Sequence, residues 1–271
     1  MLATGPSSSA ATTRAAPAIE VVGVGMRFAT PAGSVEALDG VSLVVRTGEL
    51  VSLLGPSGCG KSTLLRLVAD ILPPSEGQLK VAGASPEAAR LRRAFGFVFQ
   101  DATLLAWRNA LQNVLLPLEI SGDRRRGRER AAQLLELVGL TGFERSYPWQ
   151  LSGGMRQRVS IARALITQPQ ILLMDEPFGA LDEITRERMN LELVRIWQAT
   201  GTTILFVTHS SPEAVFLSDR VVVLTARPGR VKLELPVELP RPRDPSIKET
   251  VEFARHTAEL RRALAGEASE P

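Results

Sequence analysis

A glycine-rich segment at residues 55–63, GPSGCGKST, carries the strongest chemical signal in the chain. It fits the pattern G-x-x-x-x-G-K-[ST], whose glycines let consecutive backbone N–H groups turn inward around phosphate oxygens. In that pattern Lys61 neutralises the β- and γ-phosphates, and the Ser62 hydroxyl ligates Mg²⁺. A strand pattern precedes the segment and a helical pattern follows it, so phosphate binding is favoured over an exposed glycine loop. The predicted phosphate loop consists of Gly55, Pro56, Ser57, Gly58, Cys59, Gly60, Lys61, Ser62 and Thr63.

Two adjacent carboxylates, Asp175 and Glu176, follow the apolar run at residues 171–174. Four apolar residues that lead into two acids are typical of a buried strand that delivers carboxylates to the edge of a sheet. An acid at that edge can hold the Mg²⁺ that bridges nucleotide phosphates. A surface acidic turn is the alternative, and the phosphate loop earlier in the same chain argues against it.

Residues 151–158 read LSGGMRQR and lie between these two motifs. They resemble the LSGGQ-type signature of ABC ATPases, with Met155 where the consensus has glutamine. Further positions match the family in the same order: Phe28 at the A-loop, Gln100 at the Q-loop, Asp182 at the D-loop and His209 at the switch histidine. Over about residues 19–235, the chain therefore resembles the ATP-binding subunit of an ABC transporter.

The resemblance implies a head-to-tail homodimer that binds and hydrolyses ATP with Mg²⁺. The signature of one subunit would close over the ATP held by the phosphate loop of the other, so hydrolysis would depend on dimer closure. The residues implied to reach the partner's nucleotide are Leu151, Ser152, Gly153, Gly154 and Asp182.

Individual roles follow from the same resemblance. Glu176 would polarise the attacking water, and His209 would contact the γ-phosphate. Phe28 would stack on adenine, although an aromatic side chain near a strand end is as typical of a core. The implied catalytic residues are Glu176, His209, Gln100 and Lys61, and the implied metal ligands are Ser62, Gln100 and Asp175.

The elements around these motifs predict an α/β fold. Strand patterns occur at 19–24, 41–45, 50–54, 171–174, 203–208, 220–224 and 230–235, and helical patterns at 61–71, 114–119, 128–138 and 155–165. With the resemblance, they predict a P-loop NTPase with a RecA-like core, an antiparallel β subdomain and an inserted helical signature subdomain at about 101–165. The predicted divisions are a disordered extension at 1–18, an ATPase domain at 19–235, and a Pro-rich linker with a C-terminal helix at 236–271.

Composition restricts the classes of function. The net charge of +3 is too small to indicate nucleic-acid binding, and the single cysteine excludes a disulfide framework. No apolar run reaches the 18 to 20 residues of a spanning helix, so we expect a peripheral protein on the cytoplasmic face of the membrane. The Arg-rich segment at 124–130 is read as a solvated helix start rather than a lipid or nucleic-acid patch.

Since a spanning pattern is absent, the pore would be a separate permease. Standalone ATPase chains of this size resemble importers, which also use an extracytoplasmic substrate-binding protein. Segments at 181–186, 206–210, 225–230 and 239–243 are similar to the nitrate, sulfonate and taurine group, which has relatives for pyrimidine precursors and riboflavin. The ATPase does not touch the solute, so its sequence leaves the solute open. Trp107 and Arg108 lie where family members contact the permease.

Three other classes of protein are alternatives to a transporter subunit. ABC ATPases of DNA repair insert long coiled coils before the signature, whereas residues 100–151 show no sustained heptads. Translation-type ABC proteins carry two cassettes in one chain, and one set of motifs is present here. A non-catalytic binding module conflicts with the intact residues Lys61, Asp175, Glu176 and His209.

Overall fold

A computed structural model describes residues 16–31, 33–122 and 127–265. The predictions for residues 1–15 and for Arg124, Arg125 and Arg126 lie outside this part of the chain. The strands are β1 (Pro17–Thr30), β2 (Gly33–Arg46), β3 (Leu50–Leu54), β4 (Glu76–Val81), β5 (Phe95–Val98), β6 (Ile171–Asp175), β7 (Thr203–Val207), β8 (Arg220–Leu224) and β9 (Val231–Pro236). The α-helices are α1 (Lys61–Val68), α2 (Pro86–Leu91), α3 (Ala110–Ser121), α4 (Gly127–Leu137), α5 (Gly153–Leu165), α6 (Glu183–Thr200), α7 (Ser211–Leu217) and α8 (Val251–Ala265).

The central sheet has the strand order β5-β6-β7-β3-β8-β9. The first five strands in this order are parallel, and β9 is added antiparallel at the edge. All five residues of β3 are buried because helices cover both faces of the sheet. Leu50 and Leu54 pack into the core on one face, and Val51 and Leu53 into the core on the other. Since the five strands are parallel, their carboxyl ends meet at one edge.

A second sheet has the order β2-β1-β4 and is antiparallel. Its strands β1 and β2 are 14 residues long, far longer than the patterns at 19–24 and 41–45. Several register shifts interrupt the β1–β2 pairing, so the alternation of buried and exposed side chains is lost beyond those short runs. Helix α1 packs between this sheet and the central one. The predicted α/β fold with an antiparallel β subdomain is confirmed.

Helix α1 ends earlier than the predicted range 61–71. Its last residue is Val68, and Asp70 has a φ of 54°, which breaks the helical path. Ile71 was assigned to the apolar stripe but is 51% exposed. Leu64, Leu65, Leu67 and Val68 are buried as predicted.

The helical insert contains α3, α4 and α5, which pack on one another through a shared apolar core. Helix α3 begins with a capping box in which Asn109 and Gln112 satisfy each other's backbone N–H groups. Helix α5 begins at the signature, where the Ser152 hydroxyl accepts a hydrogen bond from the N–H of Met155 at 3.2 Å. The expectation of a helical signature insert is confirmed.

The Pro-rich stretch at 236–245, predicted to be a linker, is packed against the core. Val237 and Leu239 are buried, and Arg243 is only 3% exposed. The Arg243 guanidinium donates to the carbonyl oxygens of Val215, Phe216, Ser218 and Val237, and burial lowers its pKa to about 10. The linker prediction is wrong because these backbone partners are distant in sequence and leave no local pattern.

A short turn leads into the C-terminal helix. Residues Pro245–Glu249 form a 3₁₀ turn capped by Asp244, and α8 begins at Val251. Val251 is 79% exposed. The face that packs inward carries Phe253, His256, Thr257 and Leu260. Among the described helices, none combines the length and apolar character that crossing a bilayer requires.

Candidate active site

The phosphate loop joins the carboxyl end of β3 to the first residue of α1. Gly58 and Gly60 adopt φ values of 76° and 102°, in the left-handed region that side chains other than glycine rarely occupy. A Cβ at Gly60 would lie 2.8 Å from the carbonyl oxygen of Ala37, so space also requires glycine there. The N-terminal end of α1 directs its unpaired N–H groups and positive dipole end toward the loop.

Lys61 is the first residue of α1 and is only 4% exposed. Its ammonium group donates to the carbonyl oxygens of Gly55 at 2.8 Å and Pro56 at 2.9 Å, and lies 3.8 Å from Sγ of Cys59. These bonds hold the Lys61 side chain over Gly55 and Pro56, the first two residues of the phosphate loop. The loop therefore holds a positive charge at its centre, where a phosphate oxygen can replace carbonyl partners.

Ser62 and Asp175 come together across the edge of the sheet. The Ser62 hydroxyl donates to Oδ1 of Asp175 at 2.7 Å, although the two residues are 113 positions apart. Burial raises the pKa of Asp175, opposed by the hydrogen bond from Ser62. A partly buried hydroxyl–carboxylate pair of hard oxygen ligands, facing a phosphate loop, fits the preferences of Mg²⁺. These two oxygens are the candidate metal ligands.

Glu176 follows β6 and has a φ of 44°, an uncommon backbone conformation for this residue type. Its Oε2 atom lies 3.2 Å from Nδ1 of His209, which follows β7. A Cβ at Gly179 would lie 3.7 Å from both Glu176 Oε2 and Gln100 Nε2, so these side chains face the same glycine. The structure thus brings together Glu176, His209 and Gln100, as the sequence predicted.

A cavity of about 410 Å³ opens over the phosphate loop. Phe28, which is half-buried at the end of the antiparallel sheet, lines it together with Lys61, Ser62, Thr63 and Glu176. Phe28 also packs against the core of the antiparallel sheet, so its ring lies between that core and the cavity, and adenine stacking stays a prediction.

Sequence reasoning missed Arg227, which also lines this cavity. Its Nε and Nη2 atoms donate to the carbonyl oxygen of Gly58 at 3.2 and 3.0 Å. A signal was present, since a basic residue three positions after β8 must lie near the edge of the sheet that carries the phosphate loop. A role for Arg227 as a second cation beside the phosphates was not predicted.

The signature residues are not part of the same cavity. Gly153 and Gly154 lie at the start of α5, where they pack against Leu181 and Thr185. Asp182 caps α6 by accepting the N–H of Thr185 at 2.9 Å, and this bond lowers its pKa. None of the signature or D-loop positions 151–154 and 182 is among the residues that line the cavity over the phosphate loop. Within one subunit, the signature and D-loop residues therefore lie outside the cavity over the phosphate loop.

Comparison with known proteins identifies the family. A family model described as "ABC transporter" matches residues 38–179, more than half of the chain. The chain is 50% identical over 222 residues to the uncharacterized ABC transporter ATP-binding protein MJ0412 of Methanocaldococcus jannaschii, which covers 82% of each chain. It is 48% identical over 210 residues to the taurine import ATP-binding protein TauB of Escherichia coli K12, covering 77% of this chain and 82% of TauB.

A solved structure supports the same family assignment as these two relatives. The ATP-binding cassette MJ0796, in a dimeric post-hydrolysis state bound to ADP and Pi, aligns with a TM-score of 0.71 and 34% identity. The alignment covers 82% of this chain and 99% of that one. The similarity to TauB fits the nitrate, sulfonate and taurine importer group predicted from the sequence. The chain therefore belongs to the ABC transporter family and is one of its ATP-binding, ATP-hydrolysing cassettes.

Proposed function

We propose that this chain is the ATPase subunit of an importer, and that closure of a head-to-tail homodimer drives solute uptake through a separate permease. The observation that carries the proposal is the separation of the phosphate loop cavity from the signature within one subunit. Two copies in antiparallel arrangement would each complete the other's site. The dimeric state of the MJ0796 cassette supports this arrangement.

In the closed dimer, each proposed residue would act by position and charge. Lys61 and the N-terminal end of α1 would bind the β- and γ-phosphates, and the signature helix α5 would direct its own N-terminal end at the γ-phosphate. Glu176 would accept a hydrogen bond from the attacking water, and His209 would hold the γ-phosphate.

Mg²⁺ would be held by Ser62 and Asp175, with Gln100 nearby, and would supply positive charge at the phosphate oxygens. The oxygen-rich Ser62–Asp175 pair supports this assignment. The other proposed residues would contact the nucleotide and the attacking water from different sides. Asp182 would lie at the dimer interface, next to the nucleotide of the partner. Leu151, which was expected there too, is buried in the core of its own subunit and would support the signature from inside.

The permease would dock beside the loop at residues 101–109, which follows Gln100. Trp107 in this loop is 73% exposed. Thr103 of the same loop borders a groove of about 480 Å³, which is also lined by Phe97, Phe99, Leu116 and Ile120, among others. An exposed tryptophan in a loop that borders apolar surface has the composition of a binding hot spot. A cytoplasmic helix of the permease is the proposed occupant.

Side chains of the helical insert hold this docking loop in place. Buried Asn113 of α3 accepts the N–H of Leu105 and donates to the carbonyl oxygens of Leu105, Arg108 and Asn109. From α5, Gln157 donates to the carbonyl oxygen of Phe99, and Arg163 to those of Ala102 and Thr103. Since α5 begins at the signature, movement of the signature on dimer closure would be transmitted to the docking loop.

Trp107→Ala should weaken permease binding by about 30-fold, since truncating a hot-spot residue costs about 2 kcal/mol. Basal ATP hydrolysis should stay within about twofold of the parent, because Trp107 is not among the residues that line the cavity over the phosphate loop. Phe143→Ala, which removes another exposed aromatic from the same insert, is the matched control and should retain binding. Equal co-purification of the permease with the Trp107 variant and the parent would remove Trp107 from the interface.

The proposed solute class is the small sulfonates, supported by the similarity to TauB. The test is reconstitution of the chain with the permease and binding protein encoded beside it, in liposomes. A sulfonate should bind the binding protein, stimulate ATP hydrolysis and enter the vesicles. If a pyrimidine precursor or riboflavin does so instead, the alternative heteroaromatic importer is correct. ATP hydrolysis that responds to no binding protein would contradict import.

A further inference from the structure

Glu213 follows His209 by four residues and is not one of the residues proposed to act in hydrolysis. It belongs to α7 and is 8% exposed, and Thr208 beside it is 2% exposed. The Thr208 hydroxyl lies 2.5 Å from Oε2 of Glu213. Burying a carboxyl group next to His209 costs free energy unless hydrogen bonds replace its contacts with water.

The hydroxyl of Thr208 holds the peptide group that follows His209. Its hydroxyl oxygen accepts the N–H of Ser210 at 3.0 Å, which bridges over His209. The same hydroxyl donates its proton to Glu213, so the carboxyl group determines how the hydroxyl is oriented. The Ser210 hydroxyl in turn accepts the N–H of Glu213 at 3.4 Å. Residues 208–210 and Glu213 therefore form one closed ring of bonds, from which the imidazole projects toward Glu176.

Glu213 also faces helix α6. Asn190 and Arg186, both on α6, and His209 are near its carboxyl group, and each acts to lower the pKa of Glu213. Burial is the larger effect, so the pKa of Glu213 is raised above its ordinary value. Oε1 of Glu213 and Oδ1 of Asn190 are both buried without a hydrogen-bond partner among the described residues.

Helix α6 leads from Glu213 back to the signature. Thr185 and Met189 of α6 pack against Gly154, where a Cβ would meet them at 2.9 and 3.9 Å. Asn190 directly follows Met189 on this helix. The carboxyl group of Glu213 thus lies between the segment that carries His209 and the helix that contacts the signature.

We propose that Glu213 is a positioning residue for His209, which it holds through the hydroxyl of Thr208. The proposal rests on the proposed function, in which His209 contacts the γ-phosphate. Glu213 itself touches neither nucleotide nor water. Its effect on hydrolysis should pass entirely through His209.

A double-mutant cycle on kcat tests the route. Glu213→Ala should lower kcat by about 10-fold and leave KM for ATP within about twofold, while Glu213→Gln, which keeps both the shape and an oxygen acceptor, should retain at least half of the parent kcat. In a His209→Ala background, Glu213→Ala should cause no further loss. Val215→Ala, which opens a cavity in the same helix without touching Thr208, is the control for lost stability and should retain kcat.

The outcomes separate the two proposals. If His209→Ala hydrolyses ATP at the parent rate, the proposed function of His209 fails. If His209→Ala is slow and Glu213→Ala slows it a further 10-fold, His209 keeps its role and the positioning role of Glu213 is overturned. A Glu213→Gln variant as slow as Glu213→Ala would likewise overturn the positioning role, because the amide oxygen can still accept the hydrogen bond from Thr208.

The pH dependence of thermal unfolding gives a second readout. Because the pKa of Glu213 is raised by folding, the folded chain holds a proton that the unfolded chain releases above the ordinary value of 4.5. Raising the pH above 4.5 therefore removes stability from the parent, and Glu213→Gln abolishes this loss. The Tm of Glu213→Gln minus that of the parent should increase as the pH rises above 4.5. A constant or falling difference would show that folding does not raise the pKa of Glu213.

Discussion

Glu176→Gln should bind ATP as the parent does but hydrolyse it about 10²- to 10³-fold more slowly, the range expected when a general base is removed. The carboxylate lies 3.2 Å from His209 and lines the cavity over the phosphate loop, one residue beyond the candidate metal ligand Asp175. The amide is of equal size and cannot accept a proton from water. Phosphate release under saturating ATP measures the loss.

The same substitution should also change the oligomeric state. If hydrolysis normally opens the dimer, a subunit that retains ATP should accumulate as a dimer. Glu87→Gln, a charge-matched change at an exposed position on α2, should have neither effect. Parent-like turnover by Glu176→Gln would remove Glu176 from its proposed role.

Lys61→Ala should weaken ATP binding by about 100-fold. A hydrogen bond from the charged ammonium to a phosphate contributes up to about 3 kcal/mol of binding free energy. Since each 1.4 kcal/mol changes the affinity about tenfold, a loss of about 2.8 kcal/mol corresponds to a factor of about 100. The variant also loses the bonds that its ammonium makes to the carbonyl oxygens of Gly55 and Pro56, so the loop itself loses an internal brace. Titration calorimetry with ATP and Mg²⁺ measures the change.

Lys80→Ala is the matched control, because Lys80 is an exposed lysine on β4 and lies outside the cavity. It should bind ATP with the parent affinity. Undiminished binding by Lys61→Ala would contradict the phosphate-loop assignment, whereas equal losses in both variants would point to a general effect of positive charge.

Local sequence patterns predicted much of the core and the phosphate half of the site. Strands β3 and β8 were predicted with their observed bounds, because each is a short run of residues buried on both faces. The phosphate loop depends on glycines at fixed offsets, which is local information. Parallel strand order then places Asp175, Glu176 and His209 at the edge where that loop lies.

The missed features depend on partners distant in sequence. Arg243 is buried by four carbonyl oxygens that lie up to 28 positions away, so its surroundings read as a Pro-rich linker. Arg227 reaches Gly58 across 169 positions. Helix α8 buries Phe253 and Leu260 rather than Val251, because the 3₁₀ turn before it sets the rotation of the helix. No window of local periodicity contains these contacts.

The most direct test of the divided site is the mass of Glu176→Gln in solution with and without ATP, compared with the double variant Glu176→Gln/Gly153→Asp. An acid in the first turn of α5 suits the helix dipole, and a Cβ at Gly153 meets Leu181 at an ordinary 3.4 Å, so the monomer should fold. The new carboxylate would repel the γ-phosphate held by the partner. We expect ATP to raise the mass of Glu176→Gln from 29.3 kDa to twice that value, and the double variant to bind ATP yet remain a monomer. A double variant that dimerises with ATP as readily as Glu176→Gln would contradict a site shared between two subunits.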